Sequence, residues 1–120
     1  MLTVNDFRLR VDNQIVGYKR VSGNYTLFSL DLFHWNGKPI DFSQSDRCTG
    51  LQDKNNNWLF EQDIIQSTDY PDNTFVVMYD NHLTKFLLVE INEQVIFEHS
   101  IELVCNDKRK VTRITFNFIN

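Results

Sequence analysis

Apolar side chains recur at every second position over most of the chain, which is the period of a β-strand with one buried face. Residues 7–11 alternate apolar and basic side chains, and Asp12 and Asn13 provide turn residues before the apolar run at residues 15–18. This pattern predicts a first β-hairpin, and a second turn is predicted at residues 22–24.

Residues 25–35 predict a long strand, and both of its faces carry several apolar side chains. A strand of this kind is expected to lie in the centre of a sheet or to be covered on each side. Asn36 and Gly37 then form a dipeptide that is typical of hairpin turns, and the polar residues 38–47 predict an exposed connection.

The second half of the chain predicts further short strands separated by turn residues. The strand-like runs are residues 75–79, 85–91, 94–97 and 112–118. Residues 67–74 collect turn-forming residues and are expected to form a loop. Residues 95–105 fit either a strand or a short helical turn, and the pattern does not decide between the two.

About seven or eight short strands, with a turn roughly every ten residues, predict an all-β domain. Such a domain is either a barrel or a sandwich, and we favour a small barrel. A chain of 120 residues has the common length of one domain, and no linker, internal repeat or low-complexity tract divides it. We therefore expect a single domain over residues 1–120.

Composition places the chain among folded proteins, because 42% of its residues are hydrophobic. The net charge of −4 argues against a protein that coats phosphate backbones, since that affinity comes from clustered Lys and Arg. No apolar run is long enough to span a bilayer and the amino terminus lacks the order of a signal peptide, so we expect a cytoplasmic protein with no membrane partner. In a reducing cytosol, Cys48 and Cys105 are expected to be two buried thiols.

The most distinctive segment is residues 49–65, which reads TGLQDKNNNWLFEQDII. Its first three residues form a bend, and residues 53–57 tolerate a left-handed backbone and bond their own amides, which predicts a tight hairpin. Residues 61–63 precede an apolar pair and are expected to form the corner at which the next strand begins.

The same segment resembles the motif of the YopX-like family of phage and prophage proteins, Thr-Gly-Leu-x-Asp-Lys-Asn-Gly-Lys-x-aliphatic-aromatic-Glu-Gly-Asp-Ile-aliphatic. The matching positions are Thr49, Gly50, Leu51, Asp53, Lys54, Asn55, Leu59, Phe60, Glu61, Asp63, Ile64 and Ile65. A weaker echo of the family's usual ending lies at residues 96–103. The two family glycines are Asn56 and Gln62 here, and residues 106–120 extend past that ending as a strand, so the chain resembles a divergent member.

The resemblance implies an SH3-like β-barrel or roll, carried by phages and integrated elements, with no biochemical activity to transfer. We expect the segment to be a structural signature of the fold. The residues of that signature are Thr49, Gly50, Leu51, Asp53, Asn55, Glu61, Asp63 and Ile64.

Three acidic residues of the signature, Asp53, Glu61 and Asp63, are of the type that serves metal binding or acid–base catalysis. An Asp in a turn caps nearby amides, however, and a Glu-x-Asp before a strand fixes a corner, so structural roles are expected. The other candidate ligands, His34, His82, His99, Cys48 and Cys105, lack the paired spacing of zinc sites. No nucleophile elbow or phosphate loop occurs either, so no catalytic, cofactor-binding or metal-binding residue is expected.

Basic residues form one dense cluster, which consists of Lys108, Arg109, Lys110 and Arg113. A second cluster would consist of Arg8, Arg10, Lys19 and Arg20 if the polar face of the first hairpin is exposed. Tyr18 and Tyr25 lie near it, and cations interleaved with aromatic rings are one means of holding single-stranded nucleic acid. Ordinary solvated strand faces are the competing interpretation.

The leading hypothesis is a phage or prophage accessory protein without enzymatic activity, which acts by self-association or by binding a bacterial host protein. The absence of catalytic motifs and the surplus of apolar strand faces favour it. The alternative is a small nucleic-acid-binding β-barrel module that uses the cluster at residues 108–113. An unrecognised small hydrolase is the third hypothesis.

Overall fold

A computed structural model of the chain describes residues 1–91 and 96–118, and it confirms the all-β class. The strands of the first half are β1 (Asp6–Val11), β2 (Gln14–Ser22), β3 (Tyr25–Ser29), β4 (Gln44–Gln52) and β5 (Trp58–Phe60). Those of the second half are β6 (Asp63–Ser67), β7 (Tyr70–Asp80), β8 (Lys85–Ile91), β9 (Ile96–Ser100) and β10 (Val111–Phe116). A one-turn helix, α1 (Ile101–Val104), and a 3-10 turn (Lys108–Lys110) precede β10.

The described strands form two antiparallel five-stranded sheets. The first sheet has the order β3-β2-β1-β4-β5, and the second has the order β10-β6-β7-β8-β9. Neither order closes on itself within the described residues, so a closed barrel is not confirmed. The chain passes from the first sheet to the second at residues 61–62, where Gln62 adopts φ +75° and turns the backbone sharply.

The first hairpin is confirmed, and its register determines which side chains share a face. Phe7 lies opposite Lys19 on β2 and opposite Arg47 on β4, so these three side chains lie on one face of the first sheet. Side chains alternate along a strand, which places Arg8, with its partners on β2 and β4, on the other face, towards the second sheet.

The predicted long strand at residues 25–35 is wrong. Strand β3 ends at Ser29 and is the edge of the first sheet, and the chain then turns, with Leu32 at φ +72°. Ser29 Oγ accepts the amide N–H of Leu32 at 2.8 Å, which favours a turn over continued pairing. Asn36 forms only an isolated bridge with Phe28 and no hairpin.

The predicted loop at residues 67–74 is also too long. Strand β7 already begins at Tyr70, after the two-residue turn at residues 68–69. The β6–β7 ladder is irregular between Tyr70 and Phe75, and Pro71 lies in that interval because it needs no partner for an N–H. Tyr70 pairs with Ser67 of β6, so strand pairing overrides the local turn preference at the start of β7.

Most of the remaining strand predictions agree with the structure. The runs at residues 75–79 and 85–91 lie in β7 and β8, and residues 112–116 of the carboxyl-terminal run lie in β10. The predicted strand extension at residues 106–120 is wrong for residues 106–110, which form a bend and the 3-10 turn. Residues 95–105 contain both of the predicted alternatives, since β9 is followed directly by α1. Residues 92–95 and 119–120 lie outside the described part of the chain.

Most of the apolar core belongs to the second sheet. Its buried members are Leu59, Ile65, Phe75, Val77, Phe86, Leu88, Ile101, Val104 and Val111. A smaller buried cluster consists of Leu2, Cys48 and Phe60. The first sheet therefore has few apolar side chains to cover its inner face, and charged side chains take that place.

Candidate functional site

Arg8 and Arg10 lie between the two sheets, so the condition for a second basic cluster, an exposed polar face on the first hairpin, is not met at these two positions. Arg8 is 1% exposed and Arg10 is 4% exposed. Arg8 Nη1 donates to Asp63 Oδ1 at 2.6 Å, and Arg10 Nε donates to Asp46 Oδ2 at 2.8 Å. Arg8 Nη2 also lies 2.9 Å from Asp46 Oδ2. These four residues, two cations and two anions, form what we name the ion network.

Aromatic rings cover the ion network on the side of the carboxyl-terminal residues. The Arg8 guanidinium lies 4.9 Å from the ring centroids of Phe60, Phe116 and Phe118. Arg10 lies 4.0 Å from the Phe118 ring. Burial raises the pKa of Asp63, although the charge of Arg8 acts in the opposite direction. Since its charges balance and its donors are bonded, the ion network joins the two sheets.

Asp53 links the β4–β5 hairpin to the second sheet. Asp53 Oδ1 accepts the N–H groups of Asn55 and Asn57, both at 2.9 Å. Asp53 Oδ2 accepts the N–H of Arg113 on β10 at 3.0 Å. Burial alone would raise the pKa of Asp53, but the N–H donors of Arg113, Asn57 and Asn55 outweigh it and lower that pKa. This carboxylate is therefore a cap within the fold.

The rest of the signature segment is also engaged in local structure. Thr49 Oγ1 donates to the carbonyl of Leu59 at 2.8 Å, and Asp63 Oδ2 accepts the N–H of Phe60 at 2.8 Å. Gly50 has φ +78° at an irregularity of β4. Leu51 packs on the larger core, and Ile64 pairs with Val76 of β7. Glu61 is half-buried, and burial raises its pKa.

Two of the four cations in the predicted nucleic-acid cluster are paired with aspartates. Arg109 Nη2 lies 2.9 Å from Asp107 Oδ2, and Lys110 Nζ lies 3.2 Å from Asp69 Oδ2. Lys108 Nζ donates to the Asn56 side chain, and the Arg113 guanidinium lies 4.8 Å from the Phe116 ring. Arg109 and Lys110 thus have their charges balanced by aspartates, whereas Lys108 and Arg113 contact neutral groups.

The other candidate ligands do not come together. Within the described residues, no three His, Cys, Asp or Glu side chains are grouped so that they could hold a metal ion. Cys48 is buried, and burial raises the pKa of its thiol to about 11, whereas Cys105 is half-buried. His34 Nδ1 lies 2.6 Å from Asp31 Oδ2, and the side chain of His99 lies outside the described part of the chain.

Two apolar side chains project from the turn that follows β3. Leu30 is 77% exposed and Phe33 is 85% exposed, whereas Leu32 and Trp35 pack inward on the smaller core cluster. We name residues 30–33 the apolar loop. Exposed side chains of this size are typical of contact surfaces when they are grouped.

Hydrogen bonds hold the apolar loop in one shape. Asp31 Oδ1 accepts the N–H groups of Phe33 and His34, both at 2.8 Å. The bonds from the amide and ring of His34 and from the amide of Phe33 hold the pKa of Asp31 well below its usual range. Trp35 Nε1 donates to the carbonyl of Leu32 at 3.2 Å. The loop therefore presents its two exposed side chains from a fixed backbone.

A row of alternating cations and aromatic rings runs along the outer face of the first sheet and ends at Tyr79 on β7 of the second sheet. Lys19 Nζ lies 4.9 Å from the Phe42 ring and 5.0 Å from the Phe7 ring. The Arg47 guanidinium lies 4.8 Å from the Phe7 ring and 4.7 Å from the Tyr79 ring. We name these five residues the cation–aromatic row. Only Lys19 among the five was a candidate from the sequence, since Arg47 becomes its neighbour only through the pairing of β1 with both β2 and β4.

A small apolar cavity lies between the apolar loop and the first sheet. It has a volume of about 180 Å³, and its lining includes Phe28, Leu30, Pro39 and Ile40. Ile40 can approach the sheet because Gly17 has no side chain; a Cβ there would lie 2.6 Å from Ile40 Cδ1. The connection at residues 38–43 therefore packs against the first sheet through Ile40.

No family model, curated protein or solved structure matches the chain. The YopX-like resemblance therefore stays a proposal. No helix within residues 1–91 and 96–118 is long and apolar enough to cross a membrane.

Proposed function

We propose that this chain is a non-enzymatic interaction domain, which acts by self-association or by binding a bacterial host protein. The observation that carries the proposal is the apolar loop. Leu30 and Phe33 are 77% and 85% exposed, although Leu32 and Trp35 nearby are partly buried against the smaller core cluster. The loop exposes two large apolar side chains to water, and its hydrogen bonds order the backbone that carries them.

The physical support is the combination of exposure and rigidity. Burying one side chain of this type contributes roughly 1.5–3 kcal/mol, which is the scale of an interface hot spot. A loop that is already ordered by Asp31 and Ser29 loses little conformational entropy on binding. In the described ion network, by contrast, the charged groups are bonded to one another, which offers no reactive group to a substrate.

Light scattering coupled to size-exclusion chromatography, followed by cross-linking in bacterial lysate, tests the proposal. We expect association that falls at least about tenfold in Leu30→Ser/Phe33→Ser. Leu83→Ser is the matched control, because Leu83 is 53% exposed on a different turn. The proposal would be falsified by a strict monomer that retains no protein from lysate. It would also fail if Leu30→Ser/Phe33→Ser associated as strongly as the parent chain.

We further propose a YopX-like phage or prophage origin, an SH3-like roll as the underlying architecture, and the cytoplasm of a bacterial host as the location. Two backbone angles support the kinship. Asn56 has φ +64° and Gln62 has φ +75°, and these are the two positions at which the family motif has glycine. Glycine accepts such angles without strain, so both positions satisfy the backbone requirement that the motif implies.

The nucleic-acid-binding alternative has less support, because Arg109 and Lys110 are paired with aspartates. It predicts salt-sensitive shifts of single-stranded or duplex probes that weaken when Lys108, Arg109, Lys110 and Arg113 are replaced by Ala. Absence of binding at low salt would end it.

A further inference from the structure

The two cations of the cation–aromatic row differ from most Arg side chains of the chain. Arg8, Arg10, Arg20 and Arg109 each lie within 2.9 Å of an aspartate oxygen. Lys19 and Arg47 form no ion pair with a carboxylate of the described residues, and they contact aromatic rings in its place. Burial raises the pKa of Glu61, and the nearby charge of Arg47 only partly opposes that rise, without forming an ion pair. Their positive charge is therefore available to a partner.

The rings hold these cations in position. A cation between two aromatic rings loses little further freedom when it meets an anion, which favours binding. Lys19 and Arg47 both lie over the Phe7 ring, so its faces are already covered by cations. Nucleobases stack on free ring faces, so this arrangement favours carboxylates over nucleic acid.

The row continues into the apolar cavity. Lys19 lies directly opposite Phe28 of β3, and Phe28 lines the cavity together with Leu30 and Ile40. The cavity volume of about 180 Å³ is below the ~300 Å³ at which small-molecule sites begin, and it suits one apolar side chain. The outer face of the first sheet thus offers two cations beside one apolar recess.

We propose that this face binds an acidic segment of a partner protein, with its carboxylates on Lys19 and Arg47 and one apolar side chain in the cavity. The inference rests on the proposed function and names the chemistry of the partner. The charges of Lys19 and Arg47 are complementary to the carboxylates of such a segment, and their ring contacts hold them beside the cavity.

Amide chemical-shift titration of the isotope-labelled full chain tests the inference. The probe is a short peptide of glutamates around one leucine, and the matched probe has glutamine in place of glutamate. We expect the glutamate peptide to shift amides of β1, β2 and β4 and to bind about tenfold more tightly at low salt. Lys19→Gln/Arg47→Gln should remove this preference, whereas Lys108→Gln/Arg109→Gln should keep it. Retained spectral dispersion shows that each variant is folded.

Equal binding of both peptides, no binding, or unchanged binding by Lys19→Gln/Arg47→Gln overturns the inference. Tighter binding of an oligothymidine that depends on the same two cations also overturns it, in favour of a nucleic-acid surface. These failures leave the proposed function intact if association still depends on Leu30 and Phe33. If association does not depend on Leu30 and Phe33, by contrast, the proposed function fails, whether or not the glutamate peptide binds.

Discussion

Asp53 shows how a single side chain determines the position of two elements. Its two oxygens accept N–H groups from the hairpin turn and from Arg113 on β10, so one carboxylate joins the β4–β5 hairpin to the edge of the second sheet. The hydrogen bonds lower its pKa in the folded state. The stability that it provides is therefore present above the unfolded pKa of about 3.9 and is lost as the pH falls through the folded value.

Asp53→Asn is expected to lower the free energy of unfolding at neutral pH by about 2 kcal/mol, because an amide replaces a charged acceptor of several N–H groups. Urea unfolding at a series of pH values measures this. The loss of stability below about pH 4 should be shallower in the variant than in the parent. Asp72→Asn, at an exposed position, is the control, and an unchanged acid slope for Asp53→Asn would contradict the assignment.

Gln62 is the second informative residue, because it holds φ +75° at the corner between the sheets. A left-handed backbone costs a residue with a side chain roughly 1–2 kcal/mol, and glycine avoids this cost. We expect Gln62→Gly to raise the free energy of unfolding by about 1 kcal/mol. Gln66→Gly, an exposed position within β6, should lower it by about 0.5–1 kcal/mol. A loss of stability at both positions would show that the corner is not strained.

At the scale of elements, the turn after β3 is the feature that most departs from its local pattern. Its alternation predicts a strand, but Ser29 and Asp31 bond the amides of Leu32, Phe33 and His34 and end the strand. The apolar side chains that made the segment resemble a central strand are divided between core and solvent. Leu32 faces the core, and Leu30 and Phe33 face water.

Asp31→Ala is expected to loosen the apolar loop while leaving the sheets intact, because Asp31 is exposed and its acceptors serve only this turn. Amide hydrogen exchange should become faster at Phe33 and His34, and association through the loop should weaken. Asp41→Ala, which is exposed in the same connection, is the control. Unchanged exchange at residues 33 and 34 would show that the loop does not depend on this carboxylate.

At the scale of the whole molecule, the ion network joins the two sheets, as apolar side chains do in most sheet-on-sheet interfaces. Arg8 of the first sheet bonds Asp63 of the second, and both side chains are at most 1% exposed. A buried pair of this kind need not be more stable than an apolar pair, but removal of one partner leaves a buried charge. Arg8 therefore links the two sheets, and its loss would leave the charge of Asp63 buried without a partner, at a large cost in stability.

Arg8→Met is expected to lower the free energy of unfolding by about 3–5 kcal/mol, because Asp63 loses its main counter-charge. Arg8→Met/Asp63→Asn should recover a substantial part of that loss, since the neutral amide oxygen can still accept the Phe60 N–H. Urea unfolding of the parent, of Arg8→Met and of Arg8→Met/Asp63→Asn measures how much of the lost free energy of unfolding the second substitution restores. Arg109→Met, which removes an exposed ion pair, should change little. A double variant no more stable than Arg8→Met alone would refute the role of the charge pair.

Much of the local structure was predictable from the sequence, because it depends on neighbouring residues. The first hairpin, the turn at residues 53–57, the corner at residues 61–63 and the strand at residues 85–91 follow from alternation and turn chemistry. The early start of β7 and the early end of β3 were not predictable in this way. Each depends on a partner strand or on a side-chain bond that competes with the local pattern.

The sequence by itself determined that this chain is all-β and that residues 49–65 form a hairpin and a corner, because period two and turn residues act over a few positions. Only the tertiary structure decided which face of the first hairpin is buried. Alternation distinguishes two faces without saying which one meets the second sheet. The basic face is inside because Asp46 and Asp63, far along the chain, supply the charges that Arg8 and Arg10 require. That choice leaves Phe7 and Lys19, together with Arg47, on the outer face, and so creates the surface proposed for binding.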